Sequence, residues 1–371
     1  MASSSDPSQH HPGSRPEELP PVSPPSAGFI VQLFLIPALI VMAVVAVWAL
    51  FGKLADSESD WTQLVAELGS NNEHRRWRAA LGLAQLMKND EMAPPTDREP
   101  LSSNPAVVDS LVKLLSESLA TTTPTPEDIT HQEFLARTLS VLDADDKTLP
   151  VLAEAMKDTH DLEVRKSALM AVAAIAGRHF DRQTGYSEDA ATAGKPRTAL
   201  EEPTITNEAV LEELRKSAQS PEPVLRHLAG FAIANVGGSD AIAQLKVMLL
   251  DGDRFARANA ALGLARNGST AGVPALKELM TESLKPFDQK SVADKTPEEQ
   301  RLAEGSFQVD EPKVVRNSLH ALQDLWPQIE PAEQAELLGL IRIVSTDFFA
   351  PDVRIQASEL LKELDNSSDK G

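Results

Sequence analysis

The residues best suited to acid–base and metal chemistry are thinly spread along this chain. The pair His10–His11 stands in a stretch rich in proline and serine, where two flexible side chains do not make a specific metal site. The other six histidines stand singly, without the spacing of zinc ligands, at positions 74, 131, 160, 179, 227 and 320. The absence of cysteine excludes disulfides, thiolate metal sites and cysteine nucleophiles.

An acidic run, DADD at 143–146, has carboxylates that could hold a cation. The run lacks the glycine and the distal glutamate of a calcium loop, so we favour a solvated turn before a helix. The sequence also lacks HExxH, P-loop, GxSxG and GxGxxG motifs. We therefore predict that the protein is not an enzyme and has no catalytic residue, no cofactor and no metal site.

The composition favours an acidic, helical and elongated protein. Hydrophobic residues make up 42% of the 371 residues but aromatic residues only 4%, so the apolar supply is mostly alanine and leucine, which favour helices. The formal charge is −20, which argues against binding to phosphate backbones, and we expect no nucleic-acid partner. Residues 55–371 alone hold 52 acidic and 33 basic residues, which predicts a basic surface on the partner.

The first 60 residues have the pattern of a tail and an anchor. Residues 1–27 bury too little apolar surface to order and are predicted to be disordered. Residues 28–52 are predicted to form a transmembrane helix, because 29–51 contain no charged residue and span about 34 Å at ~1.5 Å per residue. A short spacer, 53–60, would follow it. The anchor residues are Phe29, Trp48, Phe51 and Lys53.

Two other interpretations of this apolar run are weaker. A buried core helix is seldom so uniformly apolar over this length, and a signal peptide would need a basic N-terminal region and a small-x-small cleavage site. We therefore predict a single-pass membrane protein. Arg15 is the only basic residue before the span, and Lys53 follows it directly, so the positive-inside rule orients the C-terminal domain toward the cytoplasm.

Beyond residue 60 the sequence repeats itself. The segment RRWRAALGLAQL at 75–86 aligns with ARANAALGLARN at 256–267, and a basic–x–x–small frame recurs along the chain. Glu133 replaces the basic residue in the second copy. The basic landmarks are Arg76, Arg165, Arg226, Arg257, Arg316 and Arg354.

The landmark spacing gives the repeat unit and its interruptions. Successive landmarks, with Glu133 included, lie 57, 32, 61, 31, 59 and 38 residues apart, so the unit is 31 to 38 residues long. Insertions near 89–104, 179–206 and 283–311 lengthen the long steps. Within a unit, Val164, Ala168, Val172 and Ile175 show the apolar stripe of a helix. We predict a repeat domain over 61–365 with about six or seven repeats, followed by a disordered C-terminus at 366–371.

This pattern resembles HEAT repeats, including the HEAT-like repeats that are common in bacteria. The family's second helix opens on Val-Arg, as in Val164–Arg165, Val315–Arg316 and Val353–Arg354. The family also favours an aspartate six residues before the arginine, as in Asp251 and Arg257. The resemblance implies an all-α fold, an α-solenoid of helix pairs. HEAT-repeat hydroxylases of the deoxyhypusine type look built on His-Glu pairs, and this chain contains no His-Glu dipeptide.

The recurring arginine has two interpretations. A guanidinium can bond acidic side chains or helix C-terminal carbonyls in the adjacent repeat, which would make the landmark row a structural ladder. A row that binds an external anion is the alternative, and we favour the ladder. A two-helix unit cannot bury its apolar stripe alone, so stacked repeats must supply the core.

The remaining features point to a surface that binds other molecules. The insertions are either floppy loops or binding loops, and Thr296–Gly305 is expected to form a short helix. The pair Phe348–Phe349 is either exposed or, as we favour, packed in the terminal cap. We expect a membrane-anchored scaffold that binds a protein partner, with a membrane-embedded protein as one candidate. The alternatives are an enzyme or lyase-like protein with a ligand site between repeats, and a structural protein that self-associates.

Overall fold

A computed structural model describes residues 61–70, 72–92, 100–185 and 199–368, together with Gly28, Leu39, Val41, Met42, Val44 and Val45. The chain divides into two compact units, Met1–Asp60 and Trp61–Gly371. In the first unit only those six single positions are described.

The described part of the second unit is built from α-helices and short 3-10 helices, and it contains no strand. The α-helices are α1 (Trp61–Leu68), α2 (Glu73–Met92), α3 (Pro105–Leu119), α4 (Pro126–Leu139), α5 (Asp145–Ala155), α6 (Leu162–Thr184), α7 (Glu208–Ser217), α8 (Pro223–Val236), α9 (Gly238–Met248), α10 (Arg254–Arg266), α11 (Val273–Ser283), α12 (Pro297–Leu325), α13 (Pro331–Asp347) and α14 (Pro351–Ser368). The 3-10 helices are Leu101–Ser103, Thr270–Gly272, Gln289–Val292 and Trp326–Gln328.

These helices form seven consecutive pairs within the described residues. In each pair an odd-numbered helix packs against the even-numbered helix that follows it. Each even-numbered helix also contacts the next even-numbered helix, from α2 through to α14, and α1, α3, α5 and α7 contact one another in the same way. The pairs therefore stack in two layers, and the predicted all-α solenoid is confirmed.

Local sequence signals start most of these helices. Side-chain oxygens of Asn104, Thr125, Asp161, Asn207, Asp253 and Thr296 accept hydrogen bonds from backbone N–H groups of the first turn. Proline occupies the first or second position of α3, α4, α8, α11, α12 and α13, where its missing N–H removes no helical hydrogen bond. Short turns with these caps fix where each helix of a pair begins.

Small residues let the even-numbered helices approach closely. The predicted stripe of α6 is fully buried, at Val164, Ala168, Val172 and Ile175. In α10 a Cβ atom on Gly263 would lie only 2.5 Å from the Cβ of Ala234 in α8. No real Cβ pair tolerates that separation, so this crossing requires a glycine.

The prediction of a single-pass membrane protein is wrong. A helix that crosses a bilayer needs about 20 mostly apolar residues in a row, and no helix of the described residues is long and apolar enough. The two longest, α12 with 29 residues and α6 with 23, are interrupted by charged residues because each buries only part of its circumference. The predicted orientation of the C-terminal domain toward the cytoplasm depended on that helix, so it is wrong as well.

Several predicted segments lie outside the described residues. They are the tail 1–27, the spacer 53–60 and, apart from the six single positions, the span 28–52 with Phe29, Trp48, Phe51 and Lys53. At the other end, α14 continues to Ser368, so 366–368, which were predicted to be disordered, are helical.

The described parts of the second and third insertions include helix and hydrogen-bonded segments. The helix expected over Thr296–Gly305 is not separate, because Thr296 caps the 29-residue helix α12, which continues to Leu325. The segment 199–206 returns along the C-terminal end of α8, where the backbone N–H of Thr204 donates to the carbonyl of Val236 at 2.8 Å. Residues 93–99 and 186–198 of the other two insertions lie outside the described part.

The close crossing of α8 and α10 gives a test of the stacking. We expect Gly263→Ala to lower the free energy of unfolding by about 1–3 kcal/mol, because the added methyl group overpacks the crossing. Gly339→Ala, in α13, is the matched control: its Cβ meets nothing within 4 Å, and we expect it to raise stability by up to ~1 kcal/mol. Urea denaturation of both variants measures the difference, and equal shifts would contradict the close-packed crossing.

Candidate functional site

Three of the landmark arginines hold the turn that precedes their own helix. Each lies near the start of an even-numbered helix, and its guanidinium donates to carbonyl oxygens five and six residues earlier. The bonds join Arg226 Nη1 to Ser220 O (3.0 Å) and Pro221 O (3.2 Å), Arg257 Nη1 to Asp251 O (3.0 Å) and Gly252 O (3.4 Å), and Arg354 Nη1 to Phe348 O (2.6 Å) and Phe349 O (3.4 Å).

Some landmark arginines also reach the next helix pair. Arg226 forms a two-pronged ion pair with Asp251, with Nε–Oδ2 at 2.9 Å and Nη2–Oδ1 at 3.0 Å. Arg316 of α12 likewise forms an ion pair with Asp352 of the following helix pair. Arg257 lies 3.5 Å from Glu278 of α11. Asp251 therefore has two roles: its carboxylate binds the arginine of the preceding pair, and its carbonyl accepts from Arg257 of its own pair.

The row is not continuous at its N-terminal end. Among the described residues, the guanidinium of Arg165 donates only to the carbonyl of Met156, at 3.3 Å. Glu133, which replaces arginine in the second pair, forms an ion pair with Arg137 one turn later at 2.9 Å. Arg76 lines a cavity between the first two pairs, and its guanidinium has no ion pair or hydrogen bond among the described residues.

A second charged cluster was not anticipated from the sequence. Arg254 of α10 binds Glu311 of α12 with two nitrogens, donates to the Ser283 hydroxyl at 2.7 Å and lies 3.3 Å from Glu282. Burial would raise the pKa of Glu311, but the hydrogen bonds from Arg254 and Ser283 hold it below its ordinary value. The repeat pattern could not predict this cluster, because Glu311 belongs to an insertion that interrupts the repeat.

The acidic run at 143–146 has ion-pair partners. Asp145 lies 2.6 Å from the Nε2 atom of His179, and Asp143 lies 3.4 Å from Arg182. Both partners come from the C-terminal part of α6. Among the described residues no cluster of three or more histidine, aspartate or glutamate side chains could hold a metal ion.

The solvent-facing side of the even-numbered helices carries large apolar residues at equivalent positions. Leu81, Met170 and Phe231 each lie five residues after a landmark, and they are 42%, 42% and 41% exposed. Phe255, which is 38% exposed, adds an aromatic ring 6.2 Å from that of His227. We call Met170, His227, Phe231 and Phe255 the α6–α10 surface.

The environment of His227 in this surface favours the uncharged form of its ring. Burial lowers its pKa, and the cation of Lys166 acts in the same direction, whereas the carboxylate of Asp253 opposes it. The lowered pKa favours the neutral imidazole at pH 7. The α6–α10 surface therefore combines three exposed apolar side chains on three adjacent helices with an imidazole whose neutral form is favoured.

The cavity beside Arg76 has a volume of about 260 Å³. The ring of Trp77 lies 4.1 Å from that of His131 and 4.7 Å from that of Phe134. Carboxylates line the same space, at Glu73, Glu117 and Asp128.

Phenylalanines tie the third insertion to the last helix pair. The ring of Phe307 in α12 lies 5.4 Å from that of Phe287 and 5.5 Å from that of Phe349. Phe348 is fully buried, whereas Phe349 is partly exposed and covers Phe307. We favoured packing of Phe348–Phe349 in the terminal cap, and this holds for Phe348, whereas Phe349 remains partly exposed.

The structural role of the arginine row is a prediction that stability measurements can test. Burial would raise the pKa of Asp251, but hydrogen bonds from Arg226 and from the backbone of Asp253 lower it overall. A lowered folded-state pKa stabilises the protein above the unfolded value near 3.9, and the stabilisation is lost as the pH falls through the folded-state pKa.

We therefore expect Asp251→Asn to lower the free energy of unfolding by about 1–3 kcal/mol at pH 7. The difference from the wild type should shrink below about pH 4, as the aspartate itself becomes neutral. Asp294→Asn, at an exposed loop position, serves as the control and should change stability by less than ~0.5 kcal/mol. A difference that is constant from pH 7 to pH 3 would show that the ion pair is not its cause.

Comparisons with known proteins agree with the helical-repeat architecture. A family model described as HEAT repeats matches residues 208–294, which contain α7 to α11. No curated protein matches the chain. Matching solved structures include an engineered protein, which is 17% identical over 83% of this chain and 97% of its own, with a TM-score of 0.32. Human deoxyhypusine hydroxylase in complex with glycerol is also 17% identical, over 84% and 97%, with a TM-score of 0.26.

Likenesses with TM-scores this low carry no argument about activity. The family match covers only 208–294, but the stacked pairs on both sides of it have the same two-helix organisation. Together the match and the helical structure support HEAT repeats over 208–294 within a longer array of helix pairs.

Proposed function

We propose that this chain is a helical-repeat scaffold that binds another protein through the α6–α10 surface. The observation that carries the proposal is the exposure of Met170, Phe231 and Phe255 at neighbouring solvent-facing places on three adjacent helices. Burying apolar area contributes about 25 cal/mol per Å², and the exposed part of these side chains does not gain it within the fold. Methionine and phenylalanine are also enriched at protein interfaces.

The surface is held rigidly, which lowers the entropy lost on binding. The amide of Asn259 in α10 donates to the carbonyl of His227 in α8 at 2.7 Å. The Arg226–Asp251 ion pair joins the same two helix pairs. Met170 supplies an adaptable side chain beside these fixed elements.

The charge of the surface favours a largely apolar partner face. Helices α6, α8 and α10 hold eight basic and two acidic residues, against 35 and 55 in the whole chain. Most of these cations already bind carboxylates, as in Arg182–Asp143, Arg254–Glu311 and Arg266–Asp181. The basic partner that the overall charge predicts is therefore not required by this surface.

A second candidate function is the binding of a small molecule between repeats, which is the form that the enzyme alternative would take. The cavity of about 260 Å³ beside Trp77 and His131 is the observation that favours it. Its aromatic wall and carboxylates suit a small organic cation. A ligand that co-purifies with the protein and is lost in His131→Ala would shift the balance toward this alternative.

Site-specific photocrosslinking tests the scaffold proposal. A photoreactive amino acid at position 170 or 231 of the full chain should give an adduct with the same partner protein in cells. Position 247 is the matched control, because Val247 is 71% exposed but lies on the odd-numbered helix α9. Once the partner is known, Phe231→Ala should weaken its binding by about 1–3 kcal/mol.

Two outcomes would contradict the proposal. Equal adduct yields at positions 170, 231 and 247 would mean that contact is nonspecific. Adducts formed only between two copies of this chain would instead establish self-association, the structural alternative predicted from the sequence.

A further inference from the structure

The first half of α2 carries a cluster of three arginines. Arg75, Arg76 and Arg78 occupy three of four consecutive positions. Within the described part of the chain none of their guanidinium groups forms an ion pair or a hydrogen bond. The arginines of α8 and α10 differ, because each of them has a carboxylate within 4 Å.

The position of this cluster lowers the stability of α2 when no partner is bound. The N-terminal end of a helix carries partial positive charge, so a cation in the first turn, such as Arg75, is disfavoured by about 0.3–1 kcal/mol. Arg75 and Arg78 are also three residues apart, which places two like charges on the same side of the helix. Arg75 and Arg78 are exposed, and neither has an ion-pair partner among the described residues. A place where local rules are broken in this way is typical of a functional surface.

The neighbouring residues show which side of α2 is free. Arg76 and Trp77 are partly buried and line the cavity with its carboxylates. Arg75, Arg78 and Leu81 are exposed and follow one another at intervals of three residues on one side of α2. We call these three residues the α2 arginine face.

We propose that the α2 arginine face binds an acidic segment of a partner protein. Carboxylates of the segment pair with Arg75 and Arg78, and an apolar side chain contacts Leu81. Leu81 occupies the place in its repeat that Met170 and Phe231 occupy in theirs, so the face extends the same row of positions. This inference rests on the proposed scaffold function and adds the chemistry of one anchor of the partner.

A peptide fits this face better than an extended polyanion does. Nucleic acid or an anionic membrane would bring many phosphates close to a chain with a formal charge of −20. A short acidic segment presents its charge locally, and its planar carboxylates match the two-pronged geometry of a guanidinium.

Fluorescence anisotropy with the full chain tests the inference. The probe is a labelled synthetic peptide of glutamate and leucine repeats, at low ionic strength. We expect Arg75→Glu combined with Arg78→Glu to weaken its binding by about tenfold or more, since two attractions become repulsions. The variant should still fold, because carboxylates are favourable near a helix N-terminus.

The control is Lys285→Glu combined with Lys290→Glu, which makes the same change in formal charge at exposed positions far along the chain. We expect its affinity for the peptide to stay within about twofold of the wild type. Leu81→Ser should weaken binding by about threefold or more while leaving the salt dependence unchanged.

Three results would overturn the inference. They are undiminished binding by the arginine variant, an equal loss in the lysine control, and arginine-dependent binding of a DNA duplex or of phosphatidylserine vesicles without binding of the peptide. If the peptide fails to bind while positions 170 and 231 still crosslink to one partner, only the acidic anchor is refuted. If crosslinking fails as well, the scaffold function is refuted with it.

Discussion

The close approach of neighbouring even-numbered helices is the constraint on which the rest of the structure depends. At the crossing of α8 and α10 the two backbones come so near that only Gly263 fits opposite Ala234. Glycine and alanine occupy this point of closest approach, whereas larger residues such as Leu225, Ile233 and Leu264 fill the rest of the buried side of the two helices.

The same close packing explains the polar contacts at the turns. A helix pair that stacks tightly leaves the carbonyls of its turn near the start of the second helix, where they need donors. Arg226, Arg257 and Arg354 supply those donors, and Asp251 links consecutive pairs. The arginines therefore act first within their own pair, and their contact with the next pair is an addition that some of them lack.

Periodic features could be predicted from the sequence, and non-periodic ones could not. The helix pairs and the stripe of α6 follow from spacing alone, since a repeated pattern is observed several times in one chain. The contact of Arg254 with Glu311 joins residues 57 apart across an insertion, and no local pattern signals it. Arg76 has the landmark pattern but, among the described residues, makes none of the turn and inter-pair contacts that Arg226 and Arg257 make. The membrane prediction failed because it rested on apolar content in one segment, which no described helix supports.

The long helix α12 makes the two ends of the helix array unequal in stability. Its extra turns are fastened to the preceding pair by Arg254 and to the last pair by the stack of Phe307 on Phe349. Near Trp61 the contact between α2 and α4 is the sparsest between consecutive even-numbered helices, and Arg75 and Arg78 have no ion-pair partner among the described residues. On heating, fraying should therefore begin at the end near Trp61 and travel toward α12, so that the braced end keeps its shape after the opposite end has melted.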